Sequence, residues 1–245
     1  MEDNKKCCDI EQHAVLFGLL AREAITLCPE TGLEAVRAGV REYGRQRGGR
    51  MARRCQDNGD PLSPVNYQAY NERSSRPGQM RSLPAAKLPE YTVHVEKCAW
   101  VDAWRKYDLL EYGKYYCLDI DKSLTRGFSG DRYEVQIGGW LSWGDDCCDM
   151  RWGFPMDEKA EKYIAEKRAS LGDGAIRDYD FHTGDMFSVM AEQLAERLGE
   201  DGKRAAVRAL EQFSALFTPD HIRAFWSACL LSPAAQAAVD AVLKS

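Results

Sequence analysis

The residues able to do chemistry are concentrated between positions 94 and 151. Cys117 and Asp121 stand four apart in a stretch, 102–128, that reads as helical, so a thiol and a carboxylate share one helix face. A thiol can add to an electron-poor carbon and a neighbouring carboxyl can move the proton. Further on, 144-GDDCCDMRW-152 places two adjacent cysteines between an acidic turn and an Arg-Trp pair. Neighbouring cysteines do not readily bond to each other. On a strand, Cys147 and Cys148 point to opposite sides, so only one of them can face a site. His94 and Cys98 lie at even spacing on the strand predicted for 91–101, which predicts that both face one side. Cys98, Cys117 and Cys148 could also hold zinc as thiolates, although the chain has no C-x-x-C pair among them. The reading therefore assigns no cofactor, with thiolate-bound zinc as its alternative.

Composition narrows the class. The chain has 245 residues, 44% hydrophobic and 29% charged, with a net charge of −5, which suits a core-forming protein with a small-molecule substrate rather than nucleic acid as partner. MEDNKKCCDI lacks the apolar segment of a secretory signal, and no apolar run reaches the roughly 18 residues of a membrane span. Nine cysteines, an odd number, point to reduced thiols and a cytoplasmic setting. Self-association into a homo-oligomer is left open.

These residues need a scaffold, and the chain reads as a single α+β domain over 1–245. Residues 11–56 form a helical hairpin broken at 29-PETG-32, and 57–90 form a long connection with a short helix near Asn66 to Arg73. Residues 91–154 form the sheet-containing core: a strand at 91–101, helices over 102–128 with a break at Gly113, and a hairpin of 132–143 with 148–154. Residues 155–245 are helical. The result is a small antiparallel sheet with helices, flanked by amino- and carboxy-terminal helical hairpins. An offset of 170 residues pairs Phe17 with Phe187, Gly32 with Gly202 and Arg53 with Arg223, as though the hairpins repeat. The six arginines of 41-REYGRQRGGRMARR-54 read as a solvated helix face.

The run from Cys98 to Trp152 resembles the L-2-amino-thiazoline-4-carboxylic acid hydrolase family. The shared pattern is a Cys opening a helix, a second Cys about twenty residues on with an Asp soon after, and a Gly-x-x-x-Cys-Asp-Phe-Arg hairpin. It falls on Cys98, Cys117, Asp121, Gly144, Cys148, Asp149 and Arg151, with Met150 in place of Phe. The resemblance implies a thiol-dependent hydrolase that opens a small cyclic amidine or thiazoline. Its catalytic residues would be Cys117, Asp121, Cys148 and Cys98, and Asp149, Arg151 and His94 would contact substrate. The middle sheet is also similar to the 4VR sensor domains, which implies a non-catalytic small-molecule-binding domain as the alternative.

Overall fold

Asp9 opens the first helix by a reciprocal cap: its carboxylate accepts from the backbone, and the Gln12 side chain accepts the Asp9 N–H at 2.9 Å. This computed structural model describes residues 7–73 and 75–244. The first six residues of the stretch read for a secretory signal lie outside the described residues. Helix α1 (Ile10–Leu27) is followed by α2 (Gly32–Asp57), α3 (Pro64–Tyr70), β1 (Met80–Ala86), β2 (Thr92–Cys98), α4 (Ala99–Lys106), α5 (Leu110–Ser129), β3 (Gln136–Ile137), β4 (Cys148–Arg151), α6 (Glu158–Leu171), α7 (Tyr179–Leu198), α8 (Glu200–Leu216), α9 (Pro219–Ala228) and α10 (Pro233–Leu243). The fold class is α+β, with a small antiparallel sheet among helices. Among the described residues, no helix is long and apolar enough to cross a membrane.

The chain packs as two compact units. The first comprises Met1–Tyr43, Trp100–Tyr116 and Asp178–Ser245. Here α1 packs on α7 and α8, with α9 and α10 against α7 and α8. Leu16, Phe17, Phe187, Phe213 and Phe225 are fully buried, each contributing about 1.5–3 kcal/mol relative to exposure. Trp104 is also fully buried, and its indole N–H donates to Ala14 O at 2.7 Å. Gly113 does not break a helix. It lies inside α5, where any side chain would collide with the Trp104 ring, and the break falls earlier, at residues 107–109. Buried His13 sits among the rings of Tyr43, Trp100, Tyr116 and Tyr179, at centroid distances of 5.8–6.2 Å.

The proposed repeat holds at the turns and fails beyond them. A Cβ on Gly32 would strike Ala24 O, and one on Gly202 would strike Leu194 O, the same contact at the 170-residue offset. The helices leading in have 18 and 20 residues, but α2 runs 26 and α8 only 17. Pro219 accounts for this: Thr218-Pro219 starts a new helix where α2 continues through Gly48-Gly49.

The second unit comprises Gly44–Ala99 and Cys117–Arg177 and contains the sheet, in the order β1-β2-β4-β3, all antiparallel. The short helix expected in the 57–90 connection is present as α3, and strand β1 is an element that reading did not include. It is an edge strand with Arg81 to Ala85 exposed, so it carries no apolar alternation, and Pro84 is tolerated at the edge. The strand expected over 132–143 is also corrected: only Gln136–Ile137 pair, and Leu141–Trp143 wind into a 3-10 turn that ends at Gly144, whose φ of 98° favours glycine.

Glycines set the helix crossing of this unit. A Cβ on Gly48 would lie 2.7 Å from Phe128 N and closer to Leu124 O, and one on Gly44 would lie 3.1 Å from Ile120 O, so α2 rests directly on α5. Gly48→Ala is expected to lower stability by about 1–3 kcal/mol in urea titration despite alanine's better helix propensity, because backbone must move to admit the methyl. An unchanged or raised midpoint would show that the crossing tolerates a wider spacing.

Candidate active site

Helix α5 brings Cys117 and Asp121 to one face, as their spacing requires. Its next turn anchors the hairpin: Thr125 Oγ1 accepts Val135 N–H at 3.2 Å, and Ser129 Oγ accepts Tyr133 N–H at 2.9 Å. The chain then reaches the 3-10 turn, which addresses two thiols at once. Trp140 Nε1 donates to Cys117 O at 3.2 Å, the buried Ser142 hydroxyl faces the Cys117 thiol, and Leu141 N–H donates to Cys148 Sγ at 3.4 Å.

Strand β4 places Cys148 opposite Val95 and Met150 opposite Val93, so these side chains share the face on which β2 buries its two valines. Met150, where the motif has Phe, also faces Ile137 across β3. Asp149 and Arg151 project from the other face, and Cys147, in the bend before the strand, interacts electrostatically with Asp149. There Asp149 pairs with Arg151 at 2.9 Å and with His94 at 3.5 Å. The structure thus brings the three expected substrate contacts together with one another but not with the thiols.

Cys98 departs from the simple alternation. Arg81 pairs with Lys97 and Ser82 with Val95, so Glu96 is an extra residue in β2. Such a bulge shifts the alternation by one. The expectation that His94 and Cys98 face one side is therefore corrected: His94 meets Asp149, while Cys98 interacts electrostatically with Cys117 and Cys148.

Cys98, Cys117, Cys148 and Asp121 form one electrostatic cluster. Burial raises the Cys117 thiol well above its ordinary value; Cys98, Cys148 and Asp121 add to the rise, and Ser142 works against it. Burial likewise pushes Cys148 up to about 12, opposed by Leu141 N–H and reinforced by Cys98, Asp121 and Cys147. Asp121 is raised by burial, with Arg73 and Arg47 pulling it back down. Cys117 and Asp121 each keep some solvent-accessible surface. The Cys117 and Cys148 thiols therefore hold their protons more tightly than an ordinary thiol, and a thiolate forms only when a base takes the proton.

None of the nine cysteines is in a disulfide. Among the described residues, no group of three or more His, Cys, Asp or Glu is arranged to hold a metal ion. Ser142, Leu141 N–H, Arg47 and Arg73 are the members of this neighbourhood that motif reading missed.

The family model for L-2-amino-thiazoline-4-carboxylic acid hydrolase matches residues 8–152, more than half of the chain. The chain belongs to this family. No curated protein and no solved structure matches it. The L-2-amino-thiazoline-4-carboxylic acid hydrolase match spans α1 through β4 and so includes all four members of the cluster, while α6 to α10 lie beyond it.

Proposed function

We propose that this protein is a thiol-dependent hydrolase that opens a 2-amino-2-thiazoline-4-carboxylate ring, with Cys148 as nucleophile and Asp121 as proton shuttle. The observation that carries the reading is the meeting of Cys98, Cys117, Cys148 and Asp121 in one cluster. The family's description supplies the ring.

The target is the ring carbon bonded to sulfur and to two nitrogens. Asp121, as carboxylate, takes the Cys148 proton while the thiol sulfur bonds to that carbon. A carboxyl whose pKa is raised is the stronger base for this transfer. The carbon–sulfur bond of the ring then breaks, and its sulfur receives the proton from Asp121. Water adds to the resulting protein-bound isothiourea, the bond to Cys148 breaks and its thiol is restored, leaving a carbamoyl-cysteine. Leu141 N–H, aimed at Cys148 Sγ, stabilises the thiolate as it forms. Ser142 lowers the Cys117 thiol pKa and Cys98 raises it. Cysteines without disulfides suit a reducing compartment such as the cytoplasm.

The test is incubation of purified protein with L-2-amino-thiazoline-4-carboxylate, following release of a new thiol with a chromogenic reagent under non-denaturing conditions and the carbamoyl product by mass spectrometry. Stoichiometric product and thiol support the reading. Saturable binding without product would overturn it and leave a binding domain.

A further inference from the structure

Trp152 closes the stretch 144-GDDCCDMRW-152 and takes no part in the ring-opening step. Pairing with β2 continues one residue past the end of β4, since Trp152 N–H donates to Tyr91 O at 2.9 Å. Alternation therefore carries through, and Trp152 lies on the face that already holds Cys148 and Met150, while Arg151 between them is exposed. Trp152 is 8% exposed, and its carbonyl accepts the Tyr133 hydroxyl at 2.7 Å. Its indole differs from its backbone: among the described residues, Trp152 Nε1 is buried with no hydrogen-bond partner. A buried donor left unpaired is costly, and in folded proteins such a group is met by an ordered water or a ligand.

The packing around this indole leads to the thiol cluster. Buried Tyr67, on α3, stands with its ring centroid 5.6 Å from that of Trp152 and 5.6 Å from that of Phe128. Phe128 is on α5, seven residues beyond Asp121 and eleven beyond Cys117, spacings that keep all three on one stripe of the helix. Tyr67 thus joins that stripe to the end of the sheet face that begins at Cys148. Burial, and after it Asp121, raises the Tyr67 hydroxyl above the ordinary phenol range, against the pull of Arg47 and Arg73. An indole donor, a phenol that can accept or donate, and a carboxyl are gathered on one side of the cluster.

We propose that Trp152 Nε1–H and the Tyr67 hydroxyl hold the water that completes hydrolysis, with Asp121 as its base. This deepens the hydrolase reading and rests on it for the covalent intermediate on Cys148. A buried water needs about two to four polar partners, and these three residues supply them. The water oxygen accepts from the indole, one of its protons goes to the phenol oxygen as a hydrogen bond, the other faces Asp121, and one lone pair is left for the carbon. After ring opening Asp121 has given its proton to the departing ring sulfur and is again a carboxylate. It takes a proton from the water as the water oxygen bonds to the isothiourea carbon. The bond from that carbon to the Cys148 sulfur breaks, the sulfur takes the proton back from Asp121, and the hydroxyl proton moves to the neighbouring nitrogen to leave the urea carbonyl. The indole exchanges no proton, so Trp152 is a positioning residue.

The experiment uses Trp152→Phe, which removes the N–H and keeps a ring, and Tyr67→Phe, which removes the hydroxyl alone. Turnover of L-2-amino-thiazoline-4-carboxylate is followed by its carbamoyl product, and samples quenched in acid during turnover are examined by intact-protein mass spectrometry. Trp152→Phe is expected to lower turnover at least about tenfold and to raise the fraction of protein carrying one added substrate mass above that of the parent, because ring opening proceeds while release is slowed. Tyr67→Phe should do the same, and it carries the test alone if the tryptophan variant does not fold. Turnover within about threefold of the parent in either folded variant, or a loss of turnover with no added adduct, would overturn the proposal. Product formation by the parent separates the two readings. With it, a negative result removes the water site alone; without it, the hydrolase reading falls and the water site falls with it.

Discussion

Glu72→Ala is expected to cost about 3–5 kcal/mol of folding stability, read as a lower urea midpoint with little change in slope. The Glu72 side chain is 0% exposed, and its three partners, Arg47, Arg50 and Arg54, are only 7%, 20% and 18% exposed. Removing the carboxylate leaves guanidiniums facing one another where water does not replace the lost charge. Their mutual repulsion is already felt: burial holds Arg54 below the usual arginine range, and Arg177 and Arg50 act in the same direction while Glu72 opposes them. Glu72→Gln keeps the shape and an acceptor oxygen but not the charge, so it should cost less than the alanine variant and more than a surface substitution. A surface pair such as Lys162 with Glu166, 3.8 Å apart and 75% and 67% exposed, supplies the control, since breaking such an i,i+4 pair changes stability by about 0.3–0.5 kcal/mol. If Glu72→Ala costs no more than that control, the arginine cluster is not an anchor.

This cluster shows what a sequence withholds. The arginine run of residues 41–54 reads as a solvated face because it is dense in charge and nothing nearby announces a partner. The structure divides the run: Arg45 and Arg53 are exposed, whereas Arg47, Arg50 and Arg54, at helical spacings of three and four, turn inward to Glu72. That inward stripe has helical periodicity, but periodicity of charge does not reveal a buried acid eighteen residues beyond the last arginine. Cys117 and Asp121 were legible because an α-helix fixes the relation between positions four apart. Cys147 lies just before strand β4, so the alternation expected of it and Cys148 begins only at Cys148.

Cys98 and His94 show where local rules stop. Alternation predicts a shared face, and one extra residue at Glu96 cancels it, because a bulge is defined by pairing with another strand and not by the strand's own composition. Strand β1 escaped notice for a related reason: with both faces open it has no buried positions to alternate. The 140-WLSW-143 segment has strand-like composition but folds as a tight turn whose backbone and hydroxyl are directed at two thiols. The fold class and the thiol–carboxyl pair therefore came from local periodicity, and the groups that polarise them came from contacts between distant segments.

Cys148→Ser is expected to lower turnover of L-2-amino-thiazoline-4-carboxylate by at least about a hundredfold, whereas Cys147→Ser should change it less than about threefold. The two thiols are neighbours in sequence and differ in surroundings. Cys148 accepts Leu141 N–H and interacts with Cys98 and Asp121, while Cys147 lies near Asp149, Asp146, Glu96 and Asp145. Serine keeps the shape of cysteine with a smaller, more polar atom and is a far weaker nucleophile, so a large loss at Cys148 beside a small one at Cys147 points to chemistry rather than packing. Alkylation supplies an independent readout. With its thiol pushed up to about 12, Cys148 should react with iodoacetamide at a rate that climbs about tenfold per pH unit from 7 to 10 without levelling, whereas an ordinary thiol levels near pH 9. Substrate should slow labelling of Cys148 selectively. The same shift has a stability consequence of fixed sign: its contribution is fully present below the ordinary thiol pKa and is lost as pH rises toward 12, because the unfolded chain ionises first. Full turnover in the Cys148→Ser protein would remove Cys148 as the nucleophile. Repeating the measurement with Cys117→Ser would then show whether the thiol of α5 carries the reaction or whether no thiol does.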